Sequence, residues 1–323
     1  MVAQECPADV RGPISADVRQ DPLRVQGPGG NTSIKDGDIM WIKASGTELA
    51  DAETKDIFVP VSRPQAMAEA LGHAGNGSCK TTVLDPANKL RPSIETTFHA
   101  ALDWPVVAHT HSVATLVHVI SDAGREAAKE KLAGLPVAFV PYAKPGLPLT
   151  QEILRKATPA TQIFVLENHG LVICGTNVAK AAALTEEVEA RLQMPSITPA
   201  KVLPTQPPPE GRIWAHESWI AQDTRAMSLA TAGSYYPDHV VFLGPALPKS
   251  DIDHSRPAIL VPGEGIALRA DATSSQCAML TCLSDILCRL PPSWEPRAIS
   301  AQAEAELLNW DAEKYRQALA ARS

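Results

Sequence analysis

The chain has 323 residues, a formal net charge of −7, 45 % hydrophobic and 20 % charged residues, the balance of a folded protein rather than a disordered one. The acidic charge, with no basic cluster against it, excludes a broad nucleic-acid surface. The longest apolar stretch is interrupted by His109, His111 and His118, which excludes a membrane span there.

In chain order, residues 27–33 read Gly-Pro-Gly-Gly-Asn-Thr-Ser. They lack the spacing of a dinucleotide fingerprint or a P-loop. Glycines followed by short polar side chains can instead present backbone N–H groups to an anion. A strand over 39–42 leads to Ser45-Gly46-Thr47, a second such nest. Lys35 and Lys43 could add charge there, although a lysine at a strand end is ordinarily solvated. Arg91 to His99 reads as a helix start with Ser93 as N-cap after Pro92. Glu95 then falls in the first turn, where a carboxylate complements the helix dipole. His99 lies one turn later and is read as a partner of its neighbours rather than as a ligand.

Val106-Val107-Ala108 reads as a buried strand that ends in His109-Thr110-His111. Side chains at i and i+2 share a face, so the two imidazoles lie side by side. Ser112 is placed to start a helix over 113–120. Two β-rich runs, 163–166 and 171–174, flank Glu167-Asn168-His169-Gly170, which predicts a tight hairpin with His169 at its tip. A lone histidine of either kind is ordinarily structural, but the pair on a strand needs a third ligand, and His169 is the best candidate.

An amphipathic helix over 178–193 closes a first domain, 1–197. Six prolines from Pro195 to Pro209 mark a linker, 198–212. The remaining segment, 213–323, predicts a Trp-rich helical stretch at 213–231, strands over 236–244 and 258–261, a helix over 273–289 and a final amphipathic helix over 299–320. Asp238 and His239 are expected to fix a turn, while His73, His118, His216 and His254 lack ligand-like spacing. Cysteines 6, 79, 174, 277, 282 and 288 show no CxxC pair and read as reduced thiols, Cys174 the most buried among them. No secretory leader is visible, so a cytoplasmic protein is expected.

The ordered motifs Gly29-Gly30-Asn31-Thr32-Ser33, Lys43-Ala44-Ser45-Gly46-Thr47, Pro92-Ser93-Ile94-Glu95, His109-Thr110-His111 and Asn168-His169-Gly170 resemble the class II aldolase/adducin family over roughly residues 20–195. Its enzymes include the zinc-dependent fuculose- and rhamnulose-phosphate aldolases. The resemblance implies an α/β fold, a three-layer αβα domain with a central, mainly antiparallel sheet, here followed by a small C-terminal α/β module. It implies Zn²⁺, or another divalent transition metal such as Co²⁺ or Mn²⁺, on His109, His111 and His169. Glu95 would be the acid/base, and an additional ligand when substrate is absent. Tyr142, in Pro141-Tyr142-Ala143, would exchange a proton with the aldehyde oxygen, in some members from an adjacent subunit. Gly30, Asn31, Ser45, Gly46 and Ser93 would line a phosphate or carboxylate pocket. Ile94 departs from the pattern, standing where phosphate-binding members carry a second serine.

The activity so implied is reversible cleavage of a ketose or ketose phosphate into a dihydroxyacetone (phosphate)-like fragment and an aldehyde, through a metal-stabilised enediolate. A decarboxylase of a β-keto sugar acid would use the same site, and an adducin-like binding module would keep the fold without the chemistry. The expected partners are a small sugar or sugar phosphate and further copies of the chain, a homotetramer being favoured, with no nucleic acid and no membrane. The C-terminal module resembles the segment that follows the aldolase part of bifunctional rhamnulose-phosphate aldolase/alcohol dehydrogenases, without their dehydrogenase domain.

Overall fold

The structure, a computed structural model, describes residues 21–197, 203–250 and 255–322. Cys6, Pro199 and His254 lie outside these residues, as does the first third of the linker. In chain order the first part runs β1 (Asn31–Asp36), β2 (Ile39–Lys43), β3 (Phe58–Ser62), α1 (Arg63–Ala70), α2 (Thr96–Ala101), β4 (Val106–Thr110), α3 (Val113–Val119) and α4 (Asp122–Lys131). It continues through β5 (Val137–Val140), α5 (Leu147–Lys156), β6 (Ile163–Leu166), β7 (Gly170–Gly175) and α6 (Val178–Leu192). The second part holds β8 (Arg212–Trp214), α7 (Thr224–Ala232), α8 (Pro237–Leu243), β9 (Ala258–Val261), β10 (Gly265–Arg269), α9 (Ser274–Leu287), α10 (Ala301–Leu308) and α11 (Asp311–Ala320). No helix among the described residues is long and apolar enough to cross a membrane.

Seven strands form one sheet in the order β3-β2-β1-β4-β7-β6-β5. Every pairing is antiparallel except β5 with β6. The two-residue period of the strands sorts their side chains onto two faces. Val106, Ala108, Ile163, Val165, Leu171 and Ile173 point to the core that includes Leu116, Val117 and Val188 of α3 and α6. Val107, Phe164, Leu166, Val172 and Cys174 point the other way, to Phe98 of α2 and Leu149 and Ile153 of α5. Helices therefore cover both faces, which makes the three layers. Burying a side chain such as Leu149 contributes roughly 1.5–3 kcal/mol, and that packing holds a ten-residue helix that would be marginal alone.

A second, three-stranded sheet, β8-β10-β9, belongs to the C-terminal segment. Its core is continuous with the first: Val106, Leu116 and Ile163 share one apolar cluster with Tyr235, Leu260, Met279 and Leu283.

Several elements differ from the sequence reading. Residues 237–243 form helix α8 rather than a strand. Val240-Val241-Phe242 suggests a strand by propensity, but Pro237 pre-sets a helical first turn and all seven residues are buried, so no period was there to read. The stretch from 213 opens on β8 and a 3-10 turn, His216–Ala221, before α7 begins. The last helix is two, α10 and α11, parted at Asn309-Trp310. Ser93 is not the N-cap of α2; Glu95 occupies that position. Pro92 is drawn into a bridge with Ala44, and Ser93 N–H donates to the Lys43 carbonyl, so the helix starts later.

Candidate metal centre

His109 sits on the α2 face of β4, directly across from Asn31 of β1 and Val172 of β7. Phe98 meets its ring edge-on, with centroids 6.0 Å apart. Its Nδ1 donates to the Leu171 carbonyl at 3.0 Å, which leaves the Nε2 lone pair free. His111 follows just past the strand, and its Nε2 stands 3.1 Å from that of His109. His169 occupies the turn between β6 and β7, as the hairpin pattern predicts, with Asn168 at φ +50°. The Asn168 side chain donates to the carbonyls of Tyr235 and Arg297, both at 2.9 Å, and so ties the turn to the C-terminal segment. One ring nitrogen from each of the three histidines lies within 4.8 Å of the other two.

The rings are buried, and burial lowers the affinity of His109 and His169 for a proton. For His169 the neighbouring His109 and His111 add to that effect and hold it well below the usual imidazole range. Ring nitrogens from three histidines gathered this closely are a good ligand set. The donor set fits a divalent transition metal.

Glu95 completes the cluster. Its Oε2 lies 3.4 Å from His109 Nε2 and its Oε1 3.5 Å from His169 Nε2. A relay fixes its orientation. Ser33 Oγ lies 2.7 Å from His99 Nδ1, and His99 Nε2 pairs with Asn31 Oδ1. Asn31 Nδ2 then donates to Glu95 Oε2 at 2.8 Å. Burial, with Lys35 and His109 nearby, keeps His99 well below its ordinary pKa, so one ring nitrogen accepts and the other donates. Glu95 Oε1 keeps no hydrogen-bond partner among the described residues.

The C-terminal segment supplies residues that the motifs did not announce. Asp238 of α8 brings Oδ2 to 3.3 Å from His111 Nδ1 and accepts two hydrogen bonds from Arg316 of α11, at 2.8 and 3.0 Å. Arg316 also donates to Glu313 at 2.9 Å. Burial alone would push the Asp238 carboxyl up, but Arg316 and His111 together hold it well below the carboxylate range. Burial pushes Glu313 up. A carboxylate behind a ligating histidine orients the ring and strengthens its donor nitrogen. The only sequence signal was Asp238 itself, read as a turn residue; Arg316 and Glu313 sit on an ordinary amphipathic helix.

Glycine at 29 and 30 is what lets the first loop pass so close. A Cβ on Gly29 would meet His111 Nδ1 at 2.8 Å, and one on Gly30, at φ +62°, the His109 carbonyl at 2.8 Å. Gly30, Asn31, Ser45, Gly46, Ser93 and Glu95 all line one small cavity with His111 and His169, and Lys43, Ile94, Asp238, Glu313 and Arg316 line it too. Lys43 is not solvated. Its Nζ donates to the Pro28 carbonyl at 2.9 Å, and burial brings its pKa down to about 7. Lys35 likewise donates to the carbonyls of Leu102 and Trp104. Tyr142 is not among the residues lining this cavity. It packs against Val240, Ile299 and Leu307, and its hydroxyl is buried there with no partner among the described residues.

Residues 23–195 match the family model described as the Class II Aldolase and Adducin N-terminal domain. Among solved structures, the chain is similar to the N-terminal class II aldolase domain of a conserved protein from Thermoplasma acidophilum, with 26 % identity and a TM-score of 0.51 over 59 % of this chain and 93 % of that one. Among curated proteins it is 31 % identical to the uncharacterized oxidoreductase YuxG of Bacillus subtilis, over 50 % of this chain and 26 % of the relative. It is 29 % identical to a 3-oxo-tetronate 4-phosphate decarboxylase of Haemophilus influenzae, over 34 % of this chain and 60 % of the relative. The chain thus spans less than two thirds of the length of either curated relative.

Proposed function

Because the chain belongs to the class II aldolase and adducin family, we propose that it is a metal-dependent carbon–carbon lyase. In this reading it reversibly cleaves a ketose or ketose phosphate into a dihydroxyacetone-like fragment and an aldehyde. The observation that carries the reading is the placement of the Glu95 carboxylate within 3.5 Å of ring nitrogens of both His109 and His169. A scaffold without chemistry has no use for a buried carboxylate among three bare imidazoles.

His109, His111 and His169 would hold the metal, Zn²⁺ being the preferred ion. When bound, it supplies the Lewis acidity that an enediolate-forming cleavage needs. The rest falls to the chain. Glu95 moves a proton at the carbon beside the substrate carbonyl, through the oxygen that Asn31 leaves free. Asn31, held by His99 and Ser33, keeps that oxygen aimed inward. Asp238 fixes His111, and the buried walls exclude bulk water from the reacting carbon.

A decarboxylase of a β-keto sugar acid is the second reading, favoured by the similarity to the 3-oxo-tetronate 4-phosphate decarboxylase. The two part at the product. Metal-loaded protein is incubated with ketoses, ketose phosphates and β-keto sugar acids, and aldehyde and CO₂ are both assayed. Aldehyde release from a ketose is expected. Release of CO₂ alone would replace the aldolase reading with the decarboxylase, and neither product at full metal loading would return the chain to a binding role.

A further inference from the structure

In the proposed pocket the second glycine nest, Ser45-Gly46-Thr47, is covered at Gly46. Leu319 of α11 packs on Gly46, where an added Cβ would stand 2.5 Å from its Cδ1. Glu313 lines the same cavity, with a carboxyl oxygen that is buried and has no hydrogen-bond partner among the described residues. Ile94 contributes no hydroxyl. The cavity offers about 30 Å³, room for a water or two and for the carbonyl and hydroxyl of a sugar, but not for a phosphate.

A second cavity of about 440 Å³ adjoins it, sharing Ser45, Ile94 and Pro145 as walls. That volume suits a small-molecule ligand. Three cations line it: Lys80, Arg91 and Lys144. The Arg91 guanidinium lies 3.8 Å from the centroid of the Tyr315 ring, and Lys144 Nζ 4.7 Å from that of Trp310. The rings position both charges without using their N–H donors. None of the three has a hydrogen-bond or carboxylate partner among the described residues. Asp311 also lines this cavity, but its carboxylate pairs with Lys314 at 4.0 Å rather than with any of the three.

We infer that the substrate carries an oxyanion on the end remote from its reacting carbonyl, and that Lys80, Arg91 and Lys144 bind that oxyanion in the outer cavity in place of the glycine nest. The inference rests on the aldolase reading for which end enters first. A terminal phosphate and a terminal carboxylate share the required chemistry.

Positional isomers separate the two anion sites. Full-length metal-loaded protein is titrated calorimetrically, at constant ionic strength, with erythrulose, erythrulose 1-phosphate, erythrulose 4-phosphate and erythronate. The 4-phosphate should bind about tenfold or more tightly than erythrulose, the scale of a charge-assisted contact, and the 1-phosphate no more tightly. The ratio of 4-phosphate to erythrulose affinity should collapse toward one in the Arg91→Ala/Lys144→Ala double variant, and Arg91→Lys should keep most of it. Erythronate binding that falls in the same double variant points to a carboxylate substrate, and a fall confined to the 4-phosphate points to a phosphate. A preference for the 1-phosphate, or a 4-phosphate gain that survives the double substitution, overturns the inference. Erythrulose that fails to bind at all would count against the aldolase reading, while the variant's effect on the 4-phosphate still decides the anion site.

Discussion

His109 and Asn31 face each other across a single pair of strands, whereas Asp238 and Arg316 meet from helices 78 residues apart. The first pair is placed by sheet register, and the second by tertiary packing of two elements with no mutual hydrogen-bond ladder. The strand-borne side of the centre carries the three histidines proposed as ligands, and Glu95, the proposed proton carrier, enters from the start of α2. The helix-borne side touches the back of the His111 ring and the pocket wall. Register fixes where the chemistry stands, and the packed helices tune it.

Removing a ligand should break this division at its strongest point. His109→Ala or His169→Ala is expected to abolish both metal retention and turnover, while His118→Ala, whose ring pairs with the Ala114 carbonyl and Lys131, should leave metal content intact. Metal analysis after gel filtration decides it, and full occupancy in both ligand variants would sink the assignment. Next in size is the proton carrier. Glu95→Gln should keep the metal and lose roughly 10²-fold or more of kcat, the usual scale for a positioned acid/base. Unchanged turnover would leave Glu95 as a buried partner of Asn31 and nothing more.

The helix-borne side is tested by Asp238→Asn, which keeps the shape but weakens the hold on His111. Metal affinity, read by competition with a chelator, should fall by roughly 10- to 100-fold. An affinity equal to that of the parent would confine Asp238 to pairing with Arg316. The smallest effect lies farthest from the centre. Burial lowers the Lys35 pKa from 10.5 to about 7. Between those values only the unfolded chain keeps the proton, so the unfolded state binds more protons and stability rises with pH through that window. Lys43, lowered in the same way, adds to the rise. Lys35→Met should flatten part of the slope in urea melts run between pH 7 and 10, and an unaltered slope would show that Lys35 is well hydrated in the fold.

What the residue pattern made legible follows the same split. Alternation in 106–111 and the Asn-His-Gly turn place three histidines, because a strand's period and a hairpin's φ requirement are local facts. Glu95 came from the family resemblance, since its local pattern reads only as a first-turn charge, and Pro92, drawn into a bridge with Ala44, shifts the helix start. The C-terminal contribution was not legible. Residues 237–243 are buried on every side, so no polar face marked them as a helix, and Arg316 carries no local signature of its ion pair. Whether Lys43 adds charge to the pocket or is solvated stayed open in the sequence, because nothing in Ile42-Lys43-Ala44 reveals that the Pro28 carbonyl lies within reach. Tyr142 shows the converse. Its segment is familiar, yet within one chain the tyrosine stands outside the cavity, packed against Val240, Ile299 and Leu307.

The shared apolar cluster has a consequence for how the chain can be divided. A unit that folds alone needs its own core, yet Leu116 and Ile163 are buried in one cluster with Tyr235, Met279 and Leu283. The turn bearing His169 hangs on carbonyls of Tyr235 and Arg297. The boundary drawn by homology at residue 195 therefore runs through the middle of a cooperative unit. Cut there, the polypeptide would keep the whole segment that matches the family model and expose the apolar surface against which that segment packs, so transplantation or shuffling of this protein's parts has to carry the two segments together.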